Sequence, residues 1–141
     1  MKPNQQSDTL IKLWAQTTAI TRKLDASLGA VHGIGFAEYM LMHRLHLAAQ
    51  HTMRRIDLAH ELCRSASGVT KMLNPMEKIG LVAKDINPRD ARVSLVKLTA
   101  TGEQTYQQAS NTLNQISAEV FSHIDSADTG TMHGLVAGLK P

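Results

Sequence analysis

Residues Ser65–Leu98 read "SASGVTKMLNPMEKIGLVAKDINPRDARVSLVKL". In the first half Val69, Met72, Leu73 and Met76 recur at helical spacing, a buried stripe. The second half holds two β-prone runs, 81–86 and 93–98, around the turn-forming "NPRDAR". Ser65 suits the N-cap of the helix and Gly80 its stop. Just upstream, from residue 54, Leu58, Ala59 and Leu62 mark a shorter helix for which Asp57 is the expected N-cap. Two short helices joined by a tight turn and followed at once by a hairpin predict a winged helix-turn-helix.

On the N-terminal side, Leu10, Leu13, Trp14, Thr17, Ile20, Leu24, Leu28 and Val31 predict a helix over 8–31, broken by Gly29, Gly33 and Gly35. A second helix is expected over about 36–50. Past the hairpin, Thr99 caps a long helix whose first turn holds Glu103. Tyr106, Ala109, Leu113, Ile116 and Val120 step by threes and fours along it, a coiled-coil-like seam. Met132, Leu135, Val136 and Leu139 mark a final short helix. The expected fold is mainly α, with a winged-helix lobe at 36–98 (recognition helix 66–79, wing 81–98). Long terminal helices at 8–35 and 99–141 form a dimerisation domain. Their apolar seams exceed what the lobe can cover, so a two-fold homodimer is expected, with an intramolecular helix pair as the alternative.

A chain of 141 residues, 43% hydrophobic and 19% charged, fits one globular domain. No apolar h-region follows the N-terminal lysine, and no run approaches the ~18 apolar residues that span a bilayer. The single Cys63 excludes an internal disulfide and points to the cytoplasm. No Ser/His/Asp order, Gly-rich phosphate loop or carboxylate pair suggests an enzyme, and no cofactor is expected. Charge is uneven: Arg54–Lys97 carries nine basic and five acidic residues, a net of +4 within a chain of +3. A basic middle on a near-neutral scaffold suits a polyanion.

In a winged helix the second helix fits the DNA major groove. Ser67, Thr70, Lys71 and Asn74 are hydrogen-bonding types on the face opposite the buried stripe, with Ser65 at the cap, Arg64 as an extra phosphate contact and Arg54 as a further DNA-binding candidate. Arg92 suits insertion into a narrow minor groove, where negative potential concentrates. Arg89 suits a phosphate contact, and Asp90 is explained if it pairs with an arginine and aims it. A winged helix used only for protein–protein contact is the competing reading, but it needs neither the polar face nor the wing arginines.

The stretch "IDLAHEL…SASGVTKMLNPMEKIGLVAKDINPRDARVSLVKLTATG" resembles the MarR family of bacterial transcriptional regulators. The likeness rests on the "LA…L" helix, the "GVTKML…MEKIGLV" recognition helix and exit, the Asp-x-Arg wing (Asp90, Arg92) and "LTATG". It implies a homodimer on an inverted-repeat DNA operator, more often a repressor, relieved by a small aromatic or phenolic ligand, by oxidation or by a metal. Pro75 inside the recognition helix departs from the pattern and predicts a kink near Asn74. Cys63 and Arg64 replace the residues usual at the turn.

Three kinds of signal are open to such a regulator. The peroxide-sensing relatives implied by the resemblance place their cysteine near the first helix, which has none here; Cys63 reads better as a small hydrophobe. His43 and His46, three apart, could hold a metal. On the long helix, where the resemblance puts zinc ligands, Glu103, Glu119 and His123 are widely spaced, so no metal site is expected. A small organic effector remains, with Trp14, Phe36, Tyr39, Met40 and His43 as pocket liners or as plain core.

Overall fold

A computed structural model describes residues 1–141. The chain forms α1 (Gln5–His32), α2 (Phe36–Leu47), β1 (Thr52–Arg54), α3 (Arg55–Glu61), α4 (Ala66–Lys78), β2 (Val82–Asn87), β3 (Asp90–Leu98), α5 (Ala100–Val120) and α6 (Ser126–Ala137). The three strands make one antiparallel sheet in the order β1-β3-β2. This is the mainly α winged helix-turn-helix that the sequence predicts.

Several boundaries move for local reasons. α1 begins at Gln5 because Asn4 caps it, accepting from Ser7 N at 2.8 Å. α2 ends at Leu47 because Ala48 is extended (φ −78°, ψ 152°), and the chain then turns through left-handed Gln50 (φ 57°) and His51 (φ 54°). That turn feeds β1, which pairs Thr52, Met53 and Arg54 with Lys97, Val96 and Leu95. Three residues are too few to show alternation, so the sequence reading missed this strand. Asp57 does not cap α3. Arg54 occupies that place without a side-chain cap, and Asp57 lies in the first turn, bound by Arg54. The wing turn is also tighter than "NPRDAR" suggests: only Pro88 and Arg89 lie outside the strands, and Asp90 opens β3.

Nineteen buried hydrophobic residues, drawn from α1 through α5, form a single core. Tyr106, Ala109 and Ile116 of the α5 seam are buried, with Leu113 half-buried. They pack against α1 and α2 of the same chain. That seam is therefore covered internally, contrary to the expectation that a partner covers it. Polar bonds reinforce the contact: His32 Nε2 to Thr112 Oγ1 (2.7 Å), Tyr39 OH to Ser110 Oγ (2.9 Å) and His43 Nδ1 to Tyr106 OH (2.8 Å).

The wing meets α5 through the "LTATG" segment. Thr99 Oγ1 accepts from Gly102 N at 2.9 Å, capping α5, and donates to the Gly80 carbonyl at 2.6 Å. Thr99 N donates to the Leu81 carbonyl at 3.1 Å. Gly102 is buried against the same carbonyl. A Cβ there would fall onto Leu81 O and within 2.6 Å of Leu98 Cδ1.

Gly102→Ala should therefore lower stability by about 2–3 kcal/mol, seen as a reduced urea midpoint, while exposed Thr101→Ala stays within about 0.5 kcal/mol. Burial holds the pKa of His43 below its ordinary 6.5, helped by the charges of Arg44 and His46. The unfolded chain takes up that proton first as pH falls. The contribution of neutral His43 is thus intact above pH 6.5 and shrinks below it. Thermal melts at about pH 7.5 and about pH 5.5 should show a smaller acid loss for His43→Gln than for the native chain.

Candidate nucleic-acid interface

The turn between α3 and α4 closes through Arg64 N to Ala59 O (2.9 Å) and Cys63 N to His60 O (3.1 Å). The end of α4 closes in the same pattern, with Leu81 N on Met76 O (2.9 Å) and Gly80 N on Glu77 O (3.0 Å). Gly80 (φ 79°) and Cys63 (φ 53°) hold the left-handed position in each. Cys63 thus fills a place that glycine normally takes, and its side chain is exposed.

α4 carries the expected two faces. Ser65 caps it, accepting from Gly68 N at 3.0 Å. Val69, Leu73 and Met76 are buried, while Ser67, Lys71 and Asn74 are exposed on the other side. Helical structure continues from Ala66 to Lys78 through Pro75, so Asn74 keeps the exposed face it shares with Lys71. Thr70 differs from the expectation. It is half-buried, donates to Ala66 O (3.0 Å) and accepts from Arg55 Nη1 (3.1 Å). Its hydroxyl is engaged within the protein, where it holds Arg55 in place.

Arg55 was not among the sequence candidates. Its signal was adjacency to Arg54 at the head of α3, but the partner that orients it lies fifteen residues on. Arg54, Arg55, Ile56, Ala66, Arg92, Val93 and Ser94 line one groove of about 300 Å³. The groove joins the start of α3, the start of α4 and strand β3, and three arginines flank it. Arg64 lies apart, sharing a second groove with Gly68 and Lys71.

Each groove arginine has a mapped partner. Arg54 donates to both carboxylate oxygens of Asp57, at 2.8 and 2.9 Å. That bond raises the Arg54 pKa and lowers that of Asp57. On the wing, Arg92 Nε and Nη2 reach Asp90 at 3.1 and 3.3 Å, and Arg92 N donates to Asp90 Oδ1 at 3.0 Å. The side-chain and backbone bonds from Arg92 hold the Asp90 carboxyl below its usual range. Asp90 and Arg92 are two apart on one strand and so share a face. The Arg92 side chain is 92% exposed, aimed but not buried. Arg89 stands exposed at the two-residue tip, its backbone N–H donating to Asn87 Oδ1 at 2.9 Å.

The five residues suggested as effector liners do not share one pocket. Trp14 is 70% exposed on α1. Tyr39 is buried and stacks on Phe36 and Tyr106, with centroids 5.9 and 5.2 Å away. His43 is engaged by Tyr106. Only Phe36 and Met40 open onto a common groove, about 280 Å³, beside Leu62 and Arg64 at the helix-turn-helix turn. The His43–His46 pair also diverges, since His43 bonds Tyr106 and His46 bonds Glu103. Glu119 is paired with Lys23 at 2.8 Å.

Residues 37–94, from α2 to the wing, match the model of the MarR family. The HTH-type transcriptional regulator YhbI of Bacillus subtilis (strain 168) is 22% identical over 134 residues, covering 93% of this chain and 86% of that protein. Sco3205, a MarR family transcriptional regulator from Streptomyces coelicolor, was solved in complex with DNA. It superposes with a TM-score of 0.84 at 20% identity, covering 100% of this chain and 92% of that one. Apo wild-type MarR from E. coli gives 0.78 at 24%, covering 100% and 98%. These structural likenesses establish the shared fold. The family match falls on the lobe that carries the arginine-flanked groove, and over that lobe the chain is similar to the MarR family.

Proposed function

We propose that the protein is a homodimer that binds double-stranded DNA at an inverted-repeat operator, acts as a repressor, and is released by a small organic effector. The observation that carries DNA binding is the arginine-flanked groove between α3, α4 and β3. It places Arg54, Arg55 and Arg92 beside a helix whose exposed face is Ser67, Lys71 and Asn74. That helix suits a major groove and Arg92 the adjacent minor groove, with Arg89 on the phosphates. The ion pairs of Arg54 and Arg92 are exposed and worth little by themselves, so DNA phosphates can replace the carboxylates at small cost.

Support for the dimer comes from the ends of the chain. α6 has no buried residue, and Met132, Leu135, Val136 and Leu139 are exposed. So are Leu10, Ile11 and Trp14 of α1. A twelve-residue helix with no buried residue is marginal in water, so these faces call for a second chain. No helix is long and apolar enough to cross a membrane. For the effector, the groove at Phe36 and Met40 is the remaining candidate. It adjoins the Leu62–Arg64 turn that sets the direction of α4. An aromatic or phenolic ligand there would shift the spacing of the two recognition helices, and DNA would weaken its binding by the same factor.

Fluorescence anisotropy with labelled promoter fragments at two salt concentrations tests the DNA reading. Arg92→Ala should weaken specific binding by about tenfold or more, with relaxed sequence preference. Arg89→Ala should weaken all sequences alike and reduce the salt slope by about 1. Weak binding to every fragment, indifferent to both changes, would favour the protein–protein reading.

Leu135→Asp should leave the circular dichroism of the lobe intact but shift the chain to monomer at micromolar concentration in analytical ultracentrifugation, because a carboxylate in an apolar interface goes unpaired. A native chain that is already monomeric would remove the dimer from the proposal.

A further inference from the structure

Where α2, β1 and α5 meet, three side chains converge. His46 comes from the last turn of α2, His51 from the turn before β1, and Glu103 from the first turn of α5. One ligand atom from each lies within 4.8 Å of the others. His46 Nδ1 is 2.8 Å from Glu103 Oε1, and His51 Nδ1 is 3.9 Å from Glu103 Oε2. The two imidazoles lie with centroids 5.6 Å apart. All three side chains are partly open, between 26% and 43% exposed, so an ion can enter without unfolding the site.

We propose that His46, His51 and Glu103 form a binding site for a divalent transition-metal ion of the zinc class. Two imidazoles and one carboxylate are the donor set that such ions prefer over calcium or magnesium, which favour oxygen alone. Zinc bond lengths of about 2.0–2.2 Å place tetrahedral donors about 3.3 Å apart. His46 and Glu103 are already inside that distance, and His51 needs only a small side-chain rotation. The ion replaces the proton between His46 Nδ1 and Glu103, leaving a fourth position for water. An outer contact is present: Gln107 Nε2 donates to Glu103 Oε1 at 2.9 Å and orients the carboxylate. The backbone brings His51 in at a cost, since Gln50 and His51 are consecutive non-glycine residues in left-handed conformation. An ion here ties the end of α2 and the entry to β1 onto the start of α5. The site is independent of the DNA-binding reading, and its test uses no DNA.

Untagged, chelator-treated full-length protein is titrated with zinc by calorimetry and with cobalt(II) by visible absorption. The expected result is one ion per chain with intense cobalt bands of a four- or five-coordinate site. His51→Asn, which tolerates the left-handed backbone, and Glu103→Gln should each weaken binding at least about tenfold. His133→Asn on α6 should bind like the native chain. In the native chain itself, imidazole resonances of His46 and His51 should move on zinc addition while those of His123 and His133 stay, a readout that does not depend on variant folding. The proposal fails if no ion binds below about 100 μM. It fails equally if both site variants bind as tightly as the native chain, or if the resonances that move belong to other histidines.

Discussion

The structure turns on one close contact, the seating of the first turn of α5 on the Leu81 carbonyl. Gly102 permits it, because any side chain would collide with that oxygen and with Leu98. Thr99 secures it by capping α5 with one face of its hydroxyl and bonding the end of the α4–β2 connection with the other. The recognition helix, the wing and the long helix therefore share one joint. A shift of α5 must therefore move the base of the wing.

Around that joint the polar chemistry divides into two groups. Toward the wing, arginines are exposed and held by neighbouring carboxylates, Arg54 by Asp57 and Arg92 by Asp90. Such exposed pairs give direction more than stability. Along α5, Glu103, Tyr106, Ser110 and Thr112 share hydrogen bonds with α2 and α1. Burial opposes the charge on Glu103, yet bonds from Gln107 and His46 and the charges of His46 and His51 more than offset it and hold its pKa low. The carboxylate is thus ionised at neutral pH, next to two imidazoles.

The ends of the chain follow another rule. The α5 seam finds its cover within the chain, on α1 and α2, whereas α6 and the first half of α1 find none. Apolar periodicity looks the same in the two cases. Only the packing shows which stripe is covered within the chain and which is left exposed.

Much of this was legible in sequence because it is local. Ser65 and Thr99 as caps, the stripe of Val69, Leu73 and Met76, the hairpin around Pro88–Arg89 and the Asp90–Arg92 pair depend on residues at most four apart. Periodicity and side-chain type determine such features before any tertiary contact forms. The tertiary structure decided what depends on distant partners. β1 exists because β3, more than forty residues away, offers an edge. Thr70 is occupied because Arg55 crosses from another helix. Tyr39 and His43 serve the core because α5 returns over α2. Glu103, widely spaced from other ligands along its own helix, gains two histidines from α2 and the β1 turn. Spacing along one helix records only its own neighbours, and sites assembled across elements become visible only when the chain closes on itself.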